Sequence, residues 1–122
     1  PLTKTRAVIC ALSLCMVGVS IPPAIASWYL RQAEQALPPA RPYFLTKAIL
    51  WDADPSHRYK LGLAYLTLAE TNPAAKTILL REALLHSGIA LDWDPQHLQF
   101  RLLQAGILWR LGRVEDAKHL LP

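Results

Sequence analysis

Asp54-Pro55-Ser56-His57-Arg58-Tyr59-Lys60-Leu61-Gly62-Leu63-Ala64-Tyr65 has a second version further along the chain. That version opens Asp94-Pro95-Gln96-His97 and runs through Ile107-Leu108-Trp109-Arg110-Leu111-Gly112 to Ala117. Both copies begin Asp-Pro-x-His and lead into apolar residues at helical spacing. Asp before Pro is a helix-start pattern. The carboxylate accepts a backbone N–H that has no partner inside the helix, and proline's missing N–H is no loss at the first helical position. Asn72-Pro73 is a third punctuation of the same kind. Together the three predict helices over 56–70, 74–91 and 96–111. Flanking helices are expected over 24–37, 43–52 and 113–121. Gly112 supplies a C-terminal turn, and Glu115 stands one turn from Lys118 and His119. No stretch alternates apolar and polar residues as a strand would. The fold class expected is all-α.

The chain is 122 residues long and 52% hydrophobic, and much of the excess lies in its first thirty residues. Lys4 and Arg6 precede an uncharged run that ends only at Arg31. About 20 apolar residues as helix cross a bilayer, so 7–30 is long enough. Trp28 and Tyr29 then fall where interfacial aromatics belong, with Arg31 beyond them. The same residues also fit a cleavable signal peptide, with basic residues, an apolar stretch and Ala24-x-Ala26 before Ser27. The retained anchor is the favoured expectation. The alternative is an exported soluble adaptor that loses 1–26 and binds a peptide or protein partner. Pro22-Pro23 is expected to kink or break the helix near 19–22, with a restart near Ala24. The short basic N-terminal tail favours a cytoplasmic N-terminus. It places the rest outside the cytoplasm of a bacterial-type inner membrane as a single-pass protein. Three parts are expected: an anchor and membrane-proximal helix (1–37), a Pro-rich linker (38–42) and a helical domain (43–122).

Net charge is +4, but the 13 Lys and Arg are spread without a run. A nucleic-acid surface needs clustered basic residues, so no nucleic-acid partner is expected. Cys10 and Cys15 lie inside the apolar run and read as small buried hydrophobes. No Gly-rich phosphate loop, nucleophile motif or paired metal-ligand spacing occurs. His57, His86, His97 and His119 are never three or four residues apart. No catalytic residue, cofactor, metal or small-molecule substrate is therefore expected. Asp54 and Asp94 are accounted for as helix caps. His57 and His97 occupy equivalent positions and are expected to share one structural role.

The residues of the duplicated stretch resemble the tetratricopeptide repeat (TPR) family. Leu61-Gly62 and Tyr65 match the Leu-Gly-x-x-Tyr core of that family's first helix. Ala83, Ala90 and Pro95 match its second-helix alanines and closing proline. Ala105, Leu108, Gly112 and Ala117 fall in register in the next unit. The resemblance covers 55–122 and has departures. There is extra length around 71–80, Gln104-Ala105 stands in place of Leu-Gly, and 43–54 looks like only the tail of a preceding unit. The resemblance implies stacked antiparallel helix pairs that hold a partner rather than catalyse. About three such units are usually needed for stability, so a partner, the membrane-proximal helix or further chain is expected to cover the ends. The arcs of 74–91 and 96–111 are also too broadly apolar for helices with one wet side. The expected function is a non-catalytic membrane-anchored scaffold or accessory subunit that contacts other subunits of a membrane complex and the lipid bilayer. Trp28, Tyr29, Trp51, Tyr65, Trp93 and Trp109 are the candidate partner-binding residues, because aromatic anchors dominate interfaces. For Trp51, Trp93 and Trp109 the competing role is core filling. Trp51 and Trp93, each just before an Asp-Pro turn, are also candidates to plug those turns.

Overall fold

The structure is a computed structural model and describes residues 2–122. All regular elements among the described residues are helical: α1 (Leu2–Gln35), α2 (Arg41–Trp51), α3 (Pro55–Thr71), α4 (Lys76–Trp93), α5 (Leu98–Arg110) and α6 (Val114–Leu120). Single turns of 3-10 helix, Pro38–Ala40 and Pro73–Ala75, join α1 to α2 and α3 to α4.

Of the kink or break expected at Pro22-Pro23, the break does not occur: both prolines lie inside the continuous helix α1. Each removes one backbone hydrogen bond, a local loss inside a 34-residue ladder. What changes at Pro22 is burial. Every described side chain from 3 to 21 is exposed. From Pro22 onward, Ala26, Tyr29, Leu30, Ala33 and Ala36 form a partly or fully buried stripe at three- and four-residue spacing, the signature of one helix face against a neighbour. Ala26 and Ala33 retain 1% and 3% exposure. Their small side chains let α2 lie close along α1.

The expected linker over 38–42 resolves into two pieces. Pro38–Ala40 is the 3-10 turn, and Arg41 and Pro42 are already the first residues of α2. Proline suits a helix start because its φ is preset and its missing N–H is not needed there. Arg41 Nε donates to the Ala36 carbonyl at 3.3 Å, satisfying an acceptor left over at the end of α1. The end of α1 and the helical region therefore share a core. Ala33 packs in one cluster with Leu45 and Ile49 of α2 and Leu61 of α3.

Each helix packs on the next one in the chain, and α3 also touches α5. The tightest crossing is α3 on α4, at Gly62. A Cβ there would stand 3.3 Å from the Ala83 carbonyl oxygen, 3.4 Å from Ser87 N and 3.4 Å from Leu103 Cδ2. Glycine is thus what lets two backbones and a leucine meet. Leu66, Ala69, Leu80, Ala83, Leu103 and Ile107 build the core around this point. A third cluster, Ala105, Leu108 and Ala117, joins α5 to α6.

Cross-helix contacts put α3 and α5 side by side in one direction. Tyr59 meets Phe100 at 5.5 Å between ring centroids, and Glu70 meets Arg110 at 2.7 Å. The alternation of short turns then sorts the connections to two ends. The near end holds the α2–α3 segment (52–54) and the α4–α5 segment (94–97), level with the point where α1 enters the core. The far end holds both 3-10 turns and the α5–α6 turn. That last turn closes as expected at Gly112, whose φ is +81°. Arg113 N donates to Leu108 O at 2.9 Å and Gly112 N to Trp109 O at 3.0 Å, the paired bonds of a Schellman ending.

The three punctuated starts are not equivalent. Asp54 caps α3 as expected, its Oδ1 accepting from Ser56 N at 2.8 Å. That bond holds its carboxyl below the usual carboxylate value. Asp94 caps nothing. Residues 94–97 make a turn closed by His97 N donating to Asp94 O at 3.2 Å, and α5 begins only at Leu98 with His97 at the cap position. Pro95 serves as a turn-former there rather than as the first helical residue. Asn72 makes no side-chain cap and leads into the 3-10 turn before α4.

Candidate functional site

The six candidate aromatics separate into three places. Trp28 and Tyr29 lie side by side on α1, rings edge to face at 5.0 Å and 77°; Trp28 points out, Tyr29 is half-buried. Trp51 and Trp93 are the last residues of α2 and α4, both at the near end and both exposed. Neither plugs the turn it precedes, and neither fills the core. Trp109 is exposed as well, but at the far end of α5.

Tyr65 belongs elsewhere. It is half-buried between α3 and α4, and its ring lies parallel to that of His86, with centroids 5.7 Å apart. Burial, reinforced by the Glu82 carboxylate, raises its phenol above the ordinary value. It packs between two helices with part of its ring still accessible.

His86 is the centre of a polar cluster that spacing alone does not reveal. Arg58 of α3 donates an N–H to His86 Nδ1 at 3.0 Å. Guanidinium has no lone pair to offer, so Nδ1 must be the bare acceptor and Nε2 carries the ring proton. Nε2 faces Glu82 Oε2 at 3.8 Å. Burial, with the Arg58 charge adding to it, lowers the His86 pKa, while Glu82 opposes both. Neutral His86 is thus held by Arg58, stacked on Tyr65 and flanked by Glu82. Only Glu82 and His86, one helical turn apart, were readable from spacing. Arg58 and Tyr65 come from another helix. The arrangement ties α3 to α4 in one register.

The other histidines also differ from expectation. His57 and His97 do not share a role. His57 is buried and its Nδ1–H donates to the Asp52 carbonyl at 2.9 Å, tying the end of α2 to the start of α3. His97 stacks on Phe100 with centroids 3.8 Å apart, and its buried Nδ1 has no hydrogen-bond partner among the described residues. The repeat diverges here because Asp54 starts a helix and Asp94 does not. A further polar pair joins α4 to α5: Ser87 Oγ donates to Gln104 Oε1 and also stands 3.1 Å from the Leu84 carbonyl oxygen.

A groove of about 340 Å³ lies between the end of α1, α2 and α3. Leu45, Leu63 and Ala64 line its floor, and Glu34, Arg41 and Lys60 bring charge to its edge. No group of three metal-ligating side chains occurs among the described residues. The two cysteines are exposed on the apolar part of α1. No protein-family model, curated protein or solved structure matches the chain.

The surface is distinguished by apolar exposure. The α1 helix is apolar enough over Thr3–Gln35 to cross a membrane, and none of its most hydrophobic window is buried in the fold. Away from it, Ile78 and Leu85 of α4 and Leu102 and Trp109 of α5 are exposed. These lie on the outward sides of the broadly apolar arcs, exposed among the described residues.

Proposed function

We propose that this protein is a membrane-anchored, non-catalytic helical scaffold or accessory subunit. The observation that carries the reading is the division of α1. Its first part is apolar and wholly exposed, and its last part is an integral wall of the helical core. A helix of 34 residues is about 51 Å long, enough to cross a bilayer hydrocarbon layer of about 30 Å and still form a hairpin with α2. The TPR-like reading draws support from successive antiparallel hairpins and from the close Gly62–Ala83 crossing. In it, α1 and α2 make the first helix pair and supply the missing cover at that end of the stack. The exposed apolar residues of α4 and α5 then serve as contacts to other subunits of a membrane complex.

The competing reading keeps the same fold but removes 1–26 as a signal peptide, leaving a soluble exported adaptor. Intact-mass measurement on the protein from its native membrane separates the two. The full chain, resistant to alkaline washing and migrating in mild detergent as part of a larger assembly, is the expected result. A mature N-terminus at Ser27 would overturn the anchor. A lone, cooperatively melting monomer would overturn the subunit role.

A further inference from the structure

We infer that the near end of the helical region is seated in the headgroup zone of the bilayer that α1 crosses, with Trp51 and Trp93 as its interfacial anchors. The inference rests on the membrane-anchor reading of α1. It assigns the exposed near-end aromatics to lipid rather than to a protein partner.

The argument is one of levels along the helix axes. The uncharged stretch of α1 begins after Arg6, and about 20 residues of helix fill the hydrocarbon layer. That count ends close to Ala26. Burial of α1 against its own fold starts at Pro22, about one helical turn before that count ends, so the helical region begins at the edge of the hydrocarbon layer, with no spacer between. The helix α2 runs back along α1 from the Pro38–Ala40 turn and finishes at Trp51, at that same level. The helices α3 and α4 extend the level sideways. Arg58 meets His86 and Tyr59 meets Phe100, so the start of α3, the end of α4 and the start of α5 share one end of the stack.

The side chains displayed there are of the interfacial kind. Leu50 is 72% exposed, Trp93 70% and Leu98 53%, with Trp51 at 44% and Trp28 at 52% beside the emerging helix. Tryptophan favours the headgroup level because its ring is apolar and its indole N–H is polar. This end also carries Asp52, Asp54, Asp92 and Asp94. Carboxylates at the surface gain nothing from anionic lipid, so the chemistry fits an uncharged, zwitterionic interface. The far end, by contrast, holds Trp109, whose 60% exposure makes it a control of the same residue type.

The test uses the full chain in phosphatidylcholine vesicles. Single-tryptophan variants keep one of Trp28, Trp51, Trp93 or Trp109 and carry Phe at the other three positions. Fluorescence is measured with lipids brominated near the glycerol end of the acyl chain. Strong quenching is expected at Trp28, Trp51 and Trp93, with Trp109 several-fold less quenched and no increase when phosphatidylglycerol is added. Quenching at Trp28 without quenching at both Trp51 and Trp93 would overturn the seating and leave the anchor intact. Trp109 quenched as strongly as Trp51 would also overturn it, because the stack would then lie on its side. Absence of quenching at all four would overturn the anchor reading itself.

Discussion

Replacing Gly62 and Gly88 by alanine should move stability in opposite directions. Both lie inside helices, and alanine is worth about 1 kcal/mol more than glycine at a helix interior. At Gly88 nothing opposes that gain, since the new methyl would meet only Gln104 Nε2, at 3.8 Å. At Gly62 the methyl would stand 3.3 Å from the Ala83 carbonyl oxygen and 3.4 Å from both Ser87 N and Leu103 Cδ2. Two of those atoms are α4 backbone and cannot rotate away. The helices must part by a few tenths of an ångström, across a contact where Ala83 and Ser87 are buried. Overpacking of this kind costs roughly 2 kcal/mol. Gly62→Ala is therefore expected to lose about 1 kcal/mol net and Gly88→Ala to gain about 1 kcal/mol. At roughly 4 °C per kcal/mol, the two melting midpoints should lie about 8 °C apart. The assay is thermal unfolding of the full chain in detergent micelles, followed by far-UV circular dichroism. Gly62→Leu should lose far more, because its branches have no space between the two backbones. If Gly62→Ala melts above the parent by as much as Gly88→Ala does, the close crossing of α3 and α4 is wrong, and so is the register built on it.

The capping difference gives a second matched pair. Asp54→Ala removes the bond to Ser56 N and should cost about 1 kcal/mol, whereas Asp94→Ala removes no side-chain cap and should leave the midpoint nearly unchanged in the same melt. Equal losses would restore the two Asp-Pro starts as equivalents. The His86 cluster makes stability depend on pH. Its pKa is lowered in the folded protein from an ordinary 6.5, so the unfolded chain binds the proton more readily and folding weakens on acidification. The His86 contribution is fully present above 6.5 and declines as pH falls through the depressed folded value. Protonating Nδ1 also turns the Arg58 contact from a hydrogen bond into a repulsion. Denaturant midpoints measured down a pH series should show this slope in the parent and lose it in His86→Gln. An unchanged slope in the variant would assign it to other groups, Asp54 among them.

The helical class and most helix positions were legible because they depend on local chemistry. Asp54 has the right acceptor in the right place, Gly112 has no Cβ to oppose its positive φ, and Glu115 does pair with Lys118 at 3.3 Å. What was not legible depended on residues distant in the chain. Asp94 reads like Asp54, but its segment folds as a turn, and His97 takes the cap position while stacking on Phe100. Gln104-Ala105 looked like a defect in the repeat. In the structure Gln104 meets Ser87 and Ala105 is buried beside Ala117. Tyr65 carries the residue type of an interface anchor but lies against His86, which only the α3–α4 register reveals. Burial decides such cases, and residue type alone does not encode it.

Pro22-Pro23 illustrates the same point at the scale of the whole chain. Taken locally, two prolines argue for a kink or break near 19–22 with a restart near Ala24. The helix instead continues, and at Pro22 its surroundings change. Before it every described side chain faces outward; after it one face is claimed by α2. On the proposed anchor reading, a continuous α1 shared between span and core has a mechanical consequence that a separate linker would not. Any tilt or rotation imposed on the membrane segment is passed directly to Ala33 and, through Leu45, Ile49 and Leu61, to the start of α3. Orientation at the membrane and packing of the first helix pair are then a single structural variable. On the proposed scaffold reading, that coupling would set which faces of α4 and α5 a membrane partner meets.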